Sequence, residues 1–255
     1  MATVLSGTSG ALYYSPAGTT ATFGETDVND TTDVITVATY LNFKVGDPVK
    51  FSVVNTETGA AGTGTLPAGL TAGTTYYVIG YTAATGALTI SATLGGSSVA
   101  ITDNGTAVTP NAFQVNYAAP AVVGSVREWS FEITRSEIDV TTIGQAVGQY
   151  APFRSYITGF ADGSGSATVY TTDDDSNLSN RMIEDVIQRS QSGATMKLYI
   201  DRVVSGGTVN DTTSRSITVP VILTSASLTV NPDDGQSVEI AFRPSEAPTF
   251  DLSQS

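Results

Sequence analysis

Apolar and polar residues alternate along much of this chain with a period of two, the spacing that puts one face of a β-strand inside and the other outside. In "VREWSFEITRSEIDVTT", Arg127, Trp129, Phe131 and Ile133 alternate with Glu128, Ser130, Glu132 and Thr134, predicting a strand with one buried face and Trp129 as a core anchor. Apolar runs between turn signals predict further strands at 34–37, 49–54, 75–79, 87–92 and 112–117, then at 153–157, 165–170, 196–201, 216–225 and 238–243. One segment breaks the period: Leu178, Met182, Val186 and the offset pair Ile183 and Ile187 recur at helical spacing, and Gly193 stands where a left-handed C-terminal cap is expected.

Composition agrees with strands. Thr, Val, Ser and Gly dominate, the 255 residues include 25 Gly and 10 Pro, and 40% of them are hydrophobic, enough for a real core. The expected fold class is all-β with one α-helix. The chain divides by character: from Asn29 to about Tyr117 it is rich in Thr, Gly and Ala, and "AAPAVVG" at 118–124 leads back into a more varied segment.

Inventory narrows the chemistry. With no Cys and no His, thiolate chemistry, the usual zinc ligands and a Ser-His-Asp triad are excluded, and no catalytic, cofactor or metal residue is assigned. The expectation is a protein that is not an enzyme and needs no cofactor. No stretch approaches the ~18 apolar residues of a membrane span, and "MATVLSGTSG" lacks a basic region followed by an apolar run, so a soluble, unprocessed chain is expected. A formal net charge of -13 repels phosphates and argues against a nucleic-acid binder.

The acidic run "TTDDDSNLSN" before the helix admits three uses. Asp173, Asp175, Asn177, Ser179 and Glu184 match the ligand spacing of a calcium loop, but Leu178 replaces the glycine of its sharp turn. Adjacent acids share one solvent-facing neighbourhood, which is poor ground for paired acid and base catalysis. The favoured use is structural, with Asp175 or Ser176 as N-cap and the aspartates against the positive end of the helix dipole. "GFADGSGSA" at 159–167 lacks the lysine of a phosphate loop and is expected to be a hairpin turn entering a strand, and "NPDDGQ" at 231–236 a tight reversal. The pairs Tyr13-Tyr14 and Tyr76-Tyr77 are expected to point to opposite strand faces rather than form a carbohydrate platform.

Four stretches in order carry a family resemblance: "REWSFEITRSEIDVTTIGQ", "ITGFADGSGSATVYTTDDDSN", a helix ending at "QSGATMKLYI", and "VILTSASLTVNPDDGQSVEIAFRPSEAPTF", with "GALYYSPAG" near the start. Their order resembles the tail tube proteins of long-tailed bacteriophages, with Glu137, Asp139, Thr141 and Gly144, then Gly159, Asp162, Ser164, Gly165 and Ser166, in the places of the family's motifs. The resemblance covers somewhat over half the chain.

It implies a tail-tube-type β-sandwich or barrel packed by a helix, formed by 1–28 and 118–255, with 29–117 as an inserted β module. "FKVGDPVKF" and "LPAGLTAGTTYYVIG" in that module are similar to modules of phage structural proteins, including those of cyanophages. The implied role is a structural virion protein whose hexameric rings stack into a tube that conducts DNA during ejection. Its implied partners are further copies of itself, the tape measure protein, the tail terminator, baseplate or distal tail proteins, and passing DNA without specific binding, with no membrane. The implied place is the virion tail, after assembly in the host cytoplasm. The alternative is an adhesion or carbohydrate-binding β protein of a phage or cell surface.

Overall fold

In a computed structural model the described residues are 9–123, 126–141, 154–170, 178–229 and 236–252. They form seventeen strands and one α-helix. In chain order the strands are β1 (Ala11–Ser15), β2 (Ala21–Phe23), β3 (Val28–Asn29), β4 (Val34–Thr36), β5 (Pro48–Asn55), β6 (Thr75–Thr82), β7 (Ala87–Ser91), β8 (Asn111–Tyr117) and β9 (Ala121–Val122). There follow β10 (Val126–Asp139), β11 (Tyr156–Tyr170), helix α1 (Leu178–Val186), β12 (Thr195–Asp201), β13 (Val204–Ser205), β14 (Thr208–Val209), β15 (Arg215–Thr229), β16 (Ser237–Pro244) and β17 (Thr249–Asp251). The chain is all-β with one α-helix, as its alternation predicts.

Two large sheets divide the work. The first runs β10-β11-β16-β15-β12-β1-β9, with β17 also on β15, and the second runs β2-β8-β5-β6-β7-β4-β3. The strand β15 serves two limbs of the first sheet: Arg215–Pro220 pairs β12, and Val221–Thr229 pairs β16 across a register shift between Leu223 and Ser225. A bulge of this kind turns a strand, so the sheet curls around its own apolar face.

That face is filled by Leu12, Tyr14, Met196, Leu198, Val219, Leu223, Ile240 and Phe242, and Leu178 and Met182 of α1 close it. The second sheet has its own core, centred on Phe51, Phe113, Ile35, Leu88 and Ile90, with Phe23 meeting both Phe51 and Phe113. The chain leaves the first sheet after β1 and returns through β9, which pairs β1 at Tyr13 and Tyr14.

Several expectations change. The second sheet takes in β2 and β3, so its pairing begins ahead of the expected boundary at 29, because Ala21–Phe23 finds its hydrogen-bond partner in β8. "GFADGSGSA" is not a turn: it lies within β11, which merges the two strands expected at 153–157 and 165–170 and begins at Tyr156. Phe153 lies outside the described residues. Only the start of β10 has a partly buried side; Trp129 and Phe131 are half-buried, and Ile133 is about half exposed. Helix α1 ends at Val186, so Ile187, 87% exposed, leaves the apolar stripe. Gly193 does adopt a positive φ of 82°, yet in the turn before β12 rather than at a helix cap, and a Cβ there would meet Thr20 Oγ1 at 2.2 Å. The acidic residues 173–175, the N-cap candidates, Gly144 and most of "NPDDGQ" lie outside the described residues.

Candidate assembly surface

Strand β11 is half core and half arm. Its second part, Gly165–Tyr170, pairs β16 on one side and β10 on the other, whereas Tyr156–Ser164 pairs β10 alone. The result is a two-stranded arm that continues the first sheet beyond its core. On the other side of the arm, β10 ends the sheet, and among the described residues the outer edge of this 14-residue strand pairs with no other strand.

The register explains the repeated glycines. Trp129, Phe131 and Ile133 of β10 stand opposite Ala167, Gly165 and Gly163 of β11, large against small at every second position. Removing the side chain from β11 lets Phe131 lie parallel to Phe242 of β16 across the strand between them, at 6.3 Å between ring centroids and 10° between planes. A Cβ on Gly165 would come within 2.3 Å of the Phe242 ring, and one on Gly163 within 2.9 Å of Pro244.

Beyond this stack the arm carries apolar side chains into solvent. Ile138 and Ile157 face each other as a cross-strand pair, and each is about half exposed, as are Ile133 and Tyr156. Phe160 is 93% exposed. A register shift between Arg135 and Glu137 bends the arm near this point, where Ser136 Oγ donates to the Phe160 carbonyl and Arg135 Nε to that of Gly159. The remaining arm side chains include Glu128, Glu132, Glu137, Asp139 and Asp162 against Arg127 and Arg135, so the arm is acidic as well as apolar. A groove of about 340 Å³ runs at its root, between Ile133, Gly163 and the Pro244–Pro248 segment.

The junction between the two sheets is polar and centres on α1. Tyr14 Oη donates to Asp185 Oδ2 at 2.8 Å and the Ala17 amide to the same oxygen at 3.0 Å, while Asn42 Nδ2 donates to Asp185 Oδ1 at 2.5 Å. Arg181 reaches Asp47 Oδ1 at 2.5 Å and also donates to the Asn42 carbonyl. At the rim Lys44 pairs with Glu184, and Gln188 donates to the Tyr40 carbonyl at 3.0 Å. Arg181, Asp185 and Asp47 are all buried.

Burial pushes the Asp185 carboxyl up, against the pull of its hydrogen bonds from Tyr14, Ala17 and Asn42 and of the Arg181 charge. Burial and the neighbouring Asp185 together raise Tyr14 well above the usual phenol range. Tyr117, at the edge of the same junction, is pushed up to about 12 by burial and by the charge of Asp47.

Leu178 and Met182 form the buried stripe of α1 that their spacing predicts, and Arg181 and Asp185, which apolar spacing does not single out, are buried beside them. The signal was present: 178, 181, 182 and 185 occupy one helical face, so two charges sit inside the stripe that packs. Tyr14 and Tyr13 do divide between core and surface, Tyr14 buried and Tyr13 half-buried, and Trp129 lines a groove of about 420 Å³ with Gly10, Tyr199 and Ile200.

Acidity has a local use in the second sheet. Asp33 Oδ1 accepts from the Ile101 amide, Asp103 Oδ1 from the amides of Ala68 and Gly105, and Glu25 Oε1 from that of Ala107. Each carboxylate ties a loop by satisfying backbone donors that no strand reaches. Among the described residues no group of three or more His, Cys, Asp or Glu could hold a metal ion, and no helix is long and apolar enough to cross a membrane.

No family model matches the chain, and no curated protein matches it. Among solved structures it is similar to a chain in the virion of a native gene transfer agent particle, 16% identical over 52% of this chain and 89% of that one, with a TM-score of 0.37. It is similar to a chain in the tail of an empty gene transfer agent particle with C6 symmetry, again 16% identical, over 52% of this chain and 87% of that one, with a TM-score of 0.37. A third is the SPP1 tail tube, 14% identical over 53% of this chain and 71% of that one, with a TM-score of 0.32.

Proposed function

We propose that the chain is a structural virion protein, a tail tube subunit that assembles into hexameric rings stacked around a conduit for DNA. The observation that carries the proposal is the arm of β10 and β11. It combines a long strand edge that pairs with no other strand among the described residues with exposed Ile138, Ile157 and Phe160, a combination that is a hazard in a monomer and a joint in a polymer. A neighbouring subunit that pairs with the edge completes its backbone hydrogen bonds and covers the apolar side chains in one step.

In this proposal the tube domain comprises 1–28 and 118–255 and the inserted module 29–117, with the module's sheet extended by Ala21–Phe23. The acidic arm faces the lumen, where negative charge keeps phosphates from settling within the ~10 Å reach of the field at physiological salt. The module faces outward. The tape measure protein, the tail terminator and baseplate or distal tail proteins are its further partners, the passing genome is conducted without specific binding, and the chain acts in the virion after assembly in the host cytoplasm. No step of this role requires catalysis.

Electron microscopy of the purified protein tests the proposal. Tubes or six-membered rings are expected; particles that stay monomeric at high concentration and bind a glycan array would overturn it in favour of an adhesion protein. A lumen lined chiefly by Lys and Arg would overturn the electrostatic part alone.

A further inference from the structure

Two covalent links join the sheets, the passage from β1 to β2 and the return from β8 to β9. Both links meet one groove, lined by Ser15 and Thr20 on one and by Asn116, Tyr117, Ala118 and Pro120 on the other. Two points of attachment define an axis and leave rotation about it free. The hydrophobic cores do not remove that freedom, because they form separate clusters that share no buried residue.

A third attachment comes from the 40–47 loop, remote in sequence from either link. We propose that Arg181 and Asp185 of α1, with Asn42 and Asp47 of that loop, form a polar latch that sets the angle between the two β units without being needed for the folding of either. The inference stands on this chain alone and does not rest on the tail tube proposal.

Geometry supports the division of labour. Asn42 is held from three sides: its amide donates to the Gly18 carbonyl at 2.9 Å, its side chain donates to Asp185 and to the Ala17 carbonyl, and its own carbonyl accepts from Arg181. Asp47 is braced before it meets Arg181, since Asp47 Oδ2 accepts from the Lys44 amide at 2.8 Å and leaves Oδ1 for the guanidinium. Directional bonds of this kind accept one relative orientation, whereas an apolar contact slides.

The chemistry is also wasteful if stability were its purpose. Burying an ion pair costs desolvation that apolar groups of the same volume would avoid, and Arg181 Nε is buried with no hydrogen-bond partner among the described residues. A set of groups that binds weakly for its size but in one geometry specifies an angle.

The chain has no Cys, so a distance across the junction can be read by placing spin labels at Glu57→Cys and Ser205→Cys, both exposed and one on each unit. The test variant is Arg181→Met with Asp47→Asn, which removes both partners of the buried ion pair and keeps an acceptor for the Lys44 amide. The label distance distribution is expected to widen and shift, and amides of 40–47 to exchange about tenfold faster, while those of β5, β8, β12 and β15 keep their protection. An unchanged distance distribution would overturn the inference, because something else would then fix the angle. Loss of protection in all four strands would overturn it too, provided the milder Asn42→Ala gives the same loss, because the latch would then be part of folding.

Discussion

Phe131 and Phe242 stack in parallel across a strand that has no side chain between them, Gly165. The glycine is therefore a packing residue. Gly165→Ala places a methyl 2.3 Å from the Phe242 ring and 2.7 Å from the Ser130 carbonyl, and backbone cannot give way as a side chain can. The variant should lose about 1–3 kcal/mol of stability by denaturant titration. Gly159→Ala is the control: its nearest obstacle is the rotatable Ser136 hydroxyl, so its loss should be smaller.

The arm's apolar residues should matter to assembly and not to folding. Changing Ile138, Ile157 and Phe160 together to Ser removes side chains that are half exposed or more, so the melting temperature should move little. Sedimentation velocity should nevertheless show the assembled fraction falling sharply. A variant that assembles as the parent does would place the joint elsewhere.

These first two expectations also show how far the sequence could be read. The alternation in "VREWSFEIT" and the helical spacing from Leu178 to Val186 were legible because each follows from a local period. The role of "GSGSA" was not, since two glycines so close in sequence look like a turn until Phe131 and Phe242 arrive from strands 34 and 77 residues away from Gly165. The arm was half legible: β10 was predicted as a strand, while most of the arm's share of β11 was expected as a turn, and a period of two cannot say whether the apolar face meets a core or the solvent. The junction was hidden for another reason. Arg181 and Asp185 find their partners in a loop more than a hundred residues earlier, and nothing in a local pattern announces such a pairing.

Asp185 gives a pH signature. Its carboxyl is raised by burial, so between the ordinary carboxylate range and its raised value the native chain keeps a proton that the unfolded chain has released. Its contribution is complete below that window and is lost as pH rises through it. Asp185→Asn should flatten this part of the stability curve relative to the parent, measured by urea unfolding at a series of pH values; an identical slope in both proteins would refute the assignment.

At the alkaline end Tyr117 acts with the same sign. An unfolded tyrosine ionises at about 10, whereas Tyr117 holds its proton to about 12, so its share of stability is present below that range and disappears as pH rises across it. Tyr117→Phe should unfold at a higher pH than the parent. Tyrosinate absorbance, followed together with circular dichroism, would separate ionisation in the folded chain from ionisation after unfolding.

The strand that is half core and half arm has a mechanical consequence. A pull on the arm along β11 reaches the body through Gly165–Tyr170, whose hydrogen bonds to β16 lie across the direction of pull and are loaded side by side. They must yield together rather than one after another, as the teeth of a zipper would. The same arm bent sideways meets no such resistance, because beyond Ser164 only β10 accompanies it. It is stiff along its length and compliant across it, the behaviour of a tendon.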